Sequence, residues 1–272
     1  MNMNLPVPVA QVLETLEGAG FAAYAVGGCV RDALLGLEPQ DYDITTAARP
    51  QQVETLFSDR DLDLTGGSKG TVRVPTDWGT VEVTTFRQEG GYEDSRHPDY
   101  VNFIRDIDLD LGRRDFTVNA MAWSPVRGLR DPFGGQQDLQ NRCLRTVGDP
   151  NLRFREDALR ILRAMRFAVR FDLTVEPETL KAMMEQRQLL KKLSAERIFE
   201  EVSKALVHVD AEDLKTFAPI LSQVIPELGP MVGFDQRSPH HKYDLYTHTA
   251  LVTAQVPRDL VLRWAALLHD IG

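Results

Sequence analysis

The chain has 272 residues, 43% hydrophobic and 26% charged, the balance of an ordinary globular protein with room for two or three compact units. Its formal net charge of −9 excludes a global attraction to nucleic acid and leaves local charge patterning to decide. Two cysteines, Cys29 and Cys143, give neither a disulfide framework nor a pair at zinc-ligand spacing and read as small buried thiols. No apolar run approaches membrane-spanning length, and the start MNMNLPVPVAQVLETLE lacks the build of a signal peptide. No membrane partner is expected, and the location expected is cytoplasmic.

Residues 9–19 carry apolar side chains at helical spacing and stop at Gly20, after which FAAYAVGG reads as a buried strand entering a glycine turn. Val30, Leu34 and Leu35 give the next segment a helical face that Gly36 ends. DYDITT then alternates as a strand, which places Asp41 and Asp43 on one side because side chains two apart share a face. Residues 50–57 read as a helix, and TVRVPT and TVEVTTF as a hairpin joined through Asp77, Trp78 and Gly79. The polar, glycine-containing stretch from Arg87 to Leu111 shows no clear period and reads as a mobile or induced-fit loop.

From about residue 150 helical periodicity dominates and strand signals vanish, with amphipathic helices expected over 154–170, 177–192 and 194–207. The fold class expected is α/β followed by all-α. A small mixed sheet with helices comes first (1–149), then a helical neck (150–210), then a helical body (211–272) that looks truncated at Gly272.

Asp41 and Asp43, close behind a Gly-Gly turn and a short helix, form paired carboxylates suited to two Mg2+ ions acting on a nucleotide α-phosphate. Two-metal chemistry wants a third carboxylate from a neighbouring strand, and Glu82 is best placed. In isolation D-x-D is more often a polar strand edge. With GG-x-V-R-D upstream the balance reverses.

The motif set resembles the class II tRNA nucleotidyltransferase and bacterial poly(A) polymerase family, within the DNA polymerase β superfamily. GGCVRDALLG with the following DYD matches its first motif; RRDFTVNAMA (113–122), DPFGGQQDLQNRCLRTVGDP (131–150), RFREDALRILRAMRFAVR (153–170) and ERIFEEVSKAL (196–206) match the rest in order. The resemblance implies a polymerase-β-like head and addition of C, A or both to the tRNA 3′ end from CTP and ATP, with release of pyrophosphate. CCA addition, A addition alone and poly(A) polymerisation share these motifs; GGYEDSRHP disfavours a CC-only enzyme. It implies that Gly27, Gly28, Arg31 and Arg114 meet the triphosphate. Asp115 and Asn119 would organise the sugar pocket, a cap or ion-pair role for Asp115 being as good a reading.

In EDALR the resemblance gives base choice to Asp157 and Arg160, three apart on a helix and so sharing a face. Cytosine N4 and adenine N6 both offer an amino donor to a carboxylate, whereas uracil O4 and guanine O6 present a lone pair. Arg163 and Arg166 continue the stripe as further nucleotide contacts. HHKYDLYTHT and LLHDIG are similar to the start of an HD-type helical domain, with His248, His269 and Asp270 as its metal ligands. That supplies the rival reading, a phosphohydrolase; a silent tRNA-binding module is a second.

Overall fold

The computed structural model describes residues 3–91, 100–237 and 242–271. The chain divides into two compact units: the first runs to Asn141 and takes back Arg145–Gly148, and the second comprises Arg142–Leu144 and the chain from Asp149 onward.

The first unit opens with α1 (Val7–Gly18), which buries Val9, Val12, Leu13 and Leu16 at the i, i+3, i+4, i+7 spacing of one helix face. Then follow β1 (Ala23–Val26), α2 (Gly28–Leu34), β2 (Asp43–Thr46), α3 (Pro50–Leu56), β3 (Thr71–Thr76) and β4 (Gly79–Thr85). All four β1 residues are buried, as a strand covered on both faces requires. The expected hairpin is β3–β4, antiparallel with Thr76 opposite Gly79. After these come β5 (Arg87–Gly90), β6 (Tyr100–Phe103), α4 (Ile107–Gly112), β7 (Ala122–Ser124), β8 (Gly128–Arg130) and α5 (Gly135–Gln140). Among the described residues the main sheet has six strands in the order β3-β4-β2-β1-β7-β8. β2 runs antiparallel to β1 and parallel to β4. Tyr24, Val26, Phe86, Leu111, Ala120, Ala122 and Val147 form a core cluster under it.

Within the expected loop from Arg87 to Leu111, the described residues form two strands and a helix. β5 and β6 pair antiparallel, Arg87 opposite Phe103 and Gly90 opposite Tyr100, and Asp106 caps α4 by accepting from the Asp108 amide at 2.9 Å. Residues 92–99, most of GGYEDSRHP, lie outside the described residues. The polar composition concealed these strands because their charged side chains are satisfied by pairing: Glu89 accepts from Arg87 at 2.6 Å and Arg113 at 3.3 Å.

The second unit holds β9 (Cys143–Leu144), α6 (Pro150–Glu156), α7 (Leu159–Phe171), β10 (Thr174–Val175), α8 (Pro177–Gln186), α9 (Ala195–Leu206), α10 (Ala211–Thr216), α11 (Ala218–Val224), α12 (Leu245–Gln255) and α13 (Leu260–Leu268). It is mostly helical, but strand structure does not vanish: β9 and β10 pair in parallel. Nor is 154–170 one helix, since Asp157 takes an extended conformation (φ −145°, ψ 106°) that divides α6 from α7. Cys29 is buried as expected and Cys143 is half-buried. No helix among the described residues is long and apolar enough to cross a membrane.

Gly135 shows how closely the first unit is built, because a Cβ there would lie 2.2 Å from the Thr117 carbonyl oxygen. Backbone cannot yield as a flexible side chain does, so Gly135→Ala is expected to lower unfolding free energy by about 1–3 kcal/mol in urea titrations.

Candidate active site

The chain leaves β1 at Val26 and turns at Gly27, whose φ of 76° and ψ of −123° suit a residue without a side chain. A Cβ on Gly27 would also stand 3.1 Å from Arg114 Nη1. Register then gathers the carboxylates: Val26 lies opposite Asp43 on β2, and Asp43 lies beside Glu82 on β4. Asp41 precedes β2 rather than belonging to it. The alternation nonetheless holds, for Asp41 and Asp43 are exposed while Tyr42 between them is buried, edge-on to Trp78 at 5.0 Å.

Solvent reaches Asp43, yet the protein crowds its other sides, and this burial pushes its carboxyl above the ordinary value. Arg114 pulls it down, and Glu82 and Asp41 push it further up. Glu82 is turned to Arg73, which it meets at 2.8 Å. Asp41, Asp43 and Glu82 therefore do not form a closed three-carboxylate cage; among the described residues the set of three possible ligands lying within 4.8 Å is His248, His269 and Asp270.

Arg114 sits beside the Gly27 turn with its Nη2 3.6 Å from Asp110 Oδ2. Its Nε is buried without a hydrogen-bond partner among the described residues. Burial depresses its pKa, opposed by Asp110, Asp43 and Asp115. Asp110 escaped the motif reading although Asp-x-x-Arg-Arg carries a helical i, i+3, i+4 ion-pair signal. It is fully buried and also accepts from Thr45 Oγ1 at 3.2 Å and the Arg87 amide at 3.1 Å. Burial alone would raise its pKa, but Arg113, Arg114 and the Arg87 amide outweigh that and hold it low.

Arg31 is buried, not open to solvent. It donates to Asp32 Oδ1 through Nε and Nη2 at 2.8 and 2.6 Å and to Asn119 Oδ1 through Nη1 at 2.6 Å. Asn119 in turn donates to Asp115 Oδ1 at 3.1 Å, which also accepts from the Phe116 amide. Asp115 and Asn119 thus link the first and second motifs in one buried network. Gly28, at the start of α2, would carry a Cβ 3.6 Å from Arg31 Nη2.

In the second unit Asp157 and Arg160 do not share a helix face, because Asp157 stands at the break between α6 and α7. Its Oδ1 accepts from the Leu159 amide at 3.1 Å and its Oδ2 lies 3.5 Å from Arg197. Arg160 donates to Glu156 at 2.7 Å and to the Arg153 carbonyl at 3.2 Å. Arg163 covers the Phe167 ring at 5.2 Å. Arg166 leaves the expected surface stripe altogether: buried between α7 and α9, it meets Glu201 at 2.8 Å and Phe167 at 4.4 Å. A helix period cannot tell an exposed arginine from one whose charge is neutralised by the next helix.

Residues 23–145 match the poly A polymerase head domain, and 172–228 match the probable RNA and SrmB-binding site of polymerase A. A CCA-adding enzyme of Levilactobacillus brevis is 50% identical over 266 residues, covering 96% of this chain and 63% of that protein. One from Lactobacillus helveticus is 50% identical over 193 residues, covering 71% and 48%. This chain therefore spans about half to two thirds of the length of these curated relatives. Among solved structures, the Bacillus stearothermophilus CCA-adding enzyme in complex with CTP superposes with a TM-score of 0.78 at 34% identity, over 98% of this chain and 64% of that one. The chain belongs to the class II CCA-adding enzyme family, built on the poly(A) polymerase head domain.

Proposed function

We propose that the chain adds C and A, without a nucleic-acid template, to the 3′ end of tRNA from CTP and ATP. The 3′-hydroxyl loses its proton to solvent as its oxygen forms a bond to the α-phosphorus, and the bond from that phosphorus to the pyrophosphate oxygen breaks, its electron pair leaving with pyrophosphate. The observation that carries this reading is the grouping of Gly27, Arg114 and Asp43 at one end of the sheet. A turn with no side chain leaves room for phosphate, beside a mostly buried guanidinium whose Nε has no protein acceptor among the described residues.

The donor set fits Mg2+. Asp41 and Asp43 offer hard carboxylate oxygens on one solvent-facing side, and their mutual repulsion with Glu82 is what a divalent cation would relieve. Asp41 and Asp43 would hold it, and when bound it supplies charge neutralisation for the attacking oxygen and the phosphates. Arg114 then meets the negative charge that gathers on the departing pyrophosphate. Arg31 acts from within, holding Asn119 and Asp115 in place. Asp157 keeps a partly exposed carboxylate that can accept the amino proton of cytosine or adenine. Arg160, held by Glu156, lends positive potential rather than a face-sharing fork.

The HD-like reading has a specific observation behind it. His269 Nε2 lies 3.2 Å and His248 Nε2 3.7 Å from Asp270 Oδ2. As a phosphohydrolase, the chain would use water to free phosphate from a monoester or to open a 2′,3′-cyclic phosphate, and would keep that activity in Asp43→Ala.

The decisive assay offers tRNAs ending at the discriminator base, at C and at CC with each labelled nucleoside triphosphate. Stepwise extension of all three by C and A supports CCA addition, extension of the CC-ended tRNA alone means A addition, and a long A tract means poly(A) synthesis. Asp43→Asn is expected to abolish incorporation and to raise the melting temperature at neutral pH. The reason is that the folded protein binds the Asp43 proton more tightly than the unfolded chain, so ionising it costs stability. The difference should be full above the raised pKa and fade as pH falls through it toward the ordinary carboxylate value. Asp157→Ala should let U and G in at rates approaching those of C and A, and lower stability by about 1 kcal/mol through loss of the hydrogen bond it accepts from the Leu159 amide at the start of α7.

A further inference from the structure

Asp110 is a fully buried carboxyl group with no direct place in the chemistry above. Two of its contacts are distant in sequence, Thr45 on β2, two residues beyond Asp43, and the first amide of β5; two are local, Arg113 and Arg114 just after its own helix α4. Arg113 continues from Asp110 to Glu89 on β5, which also holds Arg87. We propose that Asp110 is a positioning residue, which keeps Arg114 aimed at the Gly27 turn and ties that aim, through Arg113 and Glu89, to the β5–β6 hairpin. This rests on the nucleotidyltransferase reading of the same site.

Charge balance explains why one carboxylate can do this. Among the described residues, the ion pairs of Arg87, Arg113 and Arg114 run to two buried carboxylates, Asp110 and Glu89, while Asp43 and Asp115 also pull on Arg114. Neutralising Asp110 removes the carboxylate that Arg113 and Arg114 share and leaves Arg114 to the pull of Asp43, on the exposed side, and Asp115. An Arg114 drawn to Asp43 would occupy the carboxylate that a cation needs and quit the place where phosphate needs a donor. Removing Asp110 should therefore weaken triphosphate and Mg2+ together, a pairing that loss of packing does not produce.

The test compares Asp110→Asn with Thr45→Val in the full chain, using whichever tRNA the wild type extends. Asn keeps the size and an acceptor for the Arg87 amide but removes the charge; Val removes a hydrogen bond to the same carboxylate and leaves its charge. For Asp110→Asn, KM for CTP and ATP is expected to rise about tenfold and half-saturating Mg2+ several-fold, with kcat within about threefold of wild type. Backbone amides of Arg87–Gly90 are expected to exchange faster with solvent deuterium, and Thr45→Val should keep wild-type KM and Mg2+ dependence. Wild-type KM and Mg2+ dependence in Asp110→Asn, or equal shifts in both variants, overturns the proposal. If Asp110→Asn does not fold, Arg113→Gln decides: faster exchange at the β5 amides supports the link to the hairpin, and unchanged exchange refutes it. If the wild type extends no tRNA, the functional reading fails on its own, while the exchange comparison still judges the role of Asp110.

Discussion

A guanidinium taken out of water must be answered by carboxylate, and Arg114 is the place where this chain depends on that rule. Asp110, Asp43 and Asp115 all pull on it, and burial works against its charge. Asp110 holds it from within the protein, and Asp43 holds it from the open side. The glycine turn gives it space, since any side chain on Gly27 would press on Nη1. β1, β2 and β4 bring the Gly27 turn and Asp43 together through the sheet register, and Arg114 joins them from the segment just after α4.

The same economy appears in the buried network from Asp32 through Arg31 and Asn119 to Asp115. Each member's polar atoms are used by the next, so four polar side chains enter the interior without an orphaned charge. This network draws together motifs that lie 88 residues apart, Arg31 and Asn119. Asp43 is the contrasting case. It is crowded by protein and by like charge, a standing cost to the folded state that makes sense where a cation is to be gathered. In the second unit, Arg166 repeats the buried solution with Glu201, and α7 and α9 meet across that pair.

Much of the first unit was legible because its signals are local. The α1 spacing, the buried run of β1, the Gly27 turn, the Asp41–Asp43 alternation and the two-residue link from Thr76 to Gly79 each follow from a few neighbouring residues. β5, β6 and α4 were not legible, because Arg87, Glu89, Asp110 and Arg113 look like solvent-facing residues until each finds its partner. The break at Asp157 was hidden by an apolar period that continues through Phe154, Ile161 and Leu162, all buried, on either side of it. Only the extended backbone at Asp157, whose carboxylate accepts from the Leu159 amide at the start of α7, separates the two helices.

By itself the sequence determined which kinds of group are present and in what order: a glycine pair, an alternating pair of aspartates, two adjacent arginines, and helices rich in arginine. Those are properties of neighbours along the chain, where backbone geometry and side-chain period act directly. Tertiary structure decided which arginines are spent inside and which stay by the Gly27 turn, sending Arg31 to Asn119 and Arg166 to Glu201 while leaving Arg114 within the pull of Asp43. The physical reason is that a charge's role depends on what lies within a few ångströms of it, and chain contacts at that range come from folding rather than from sequence proximity.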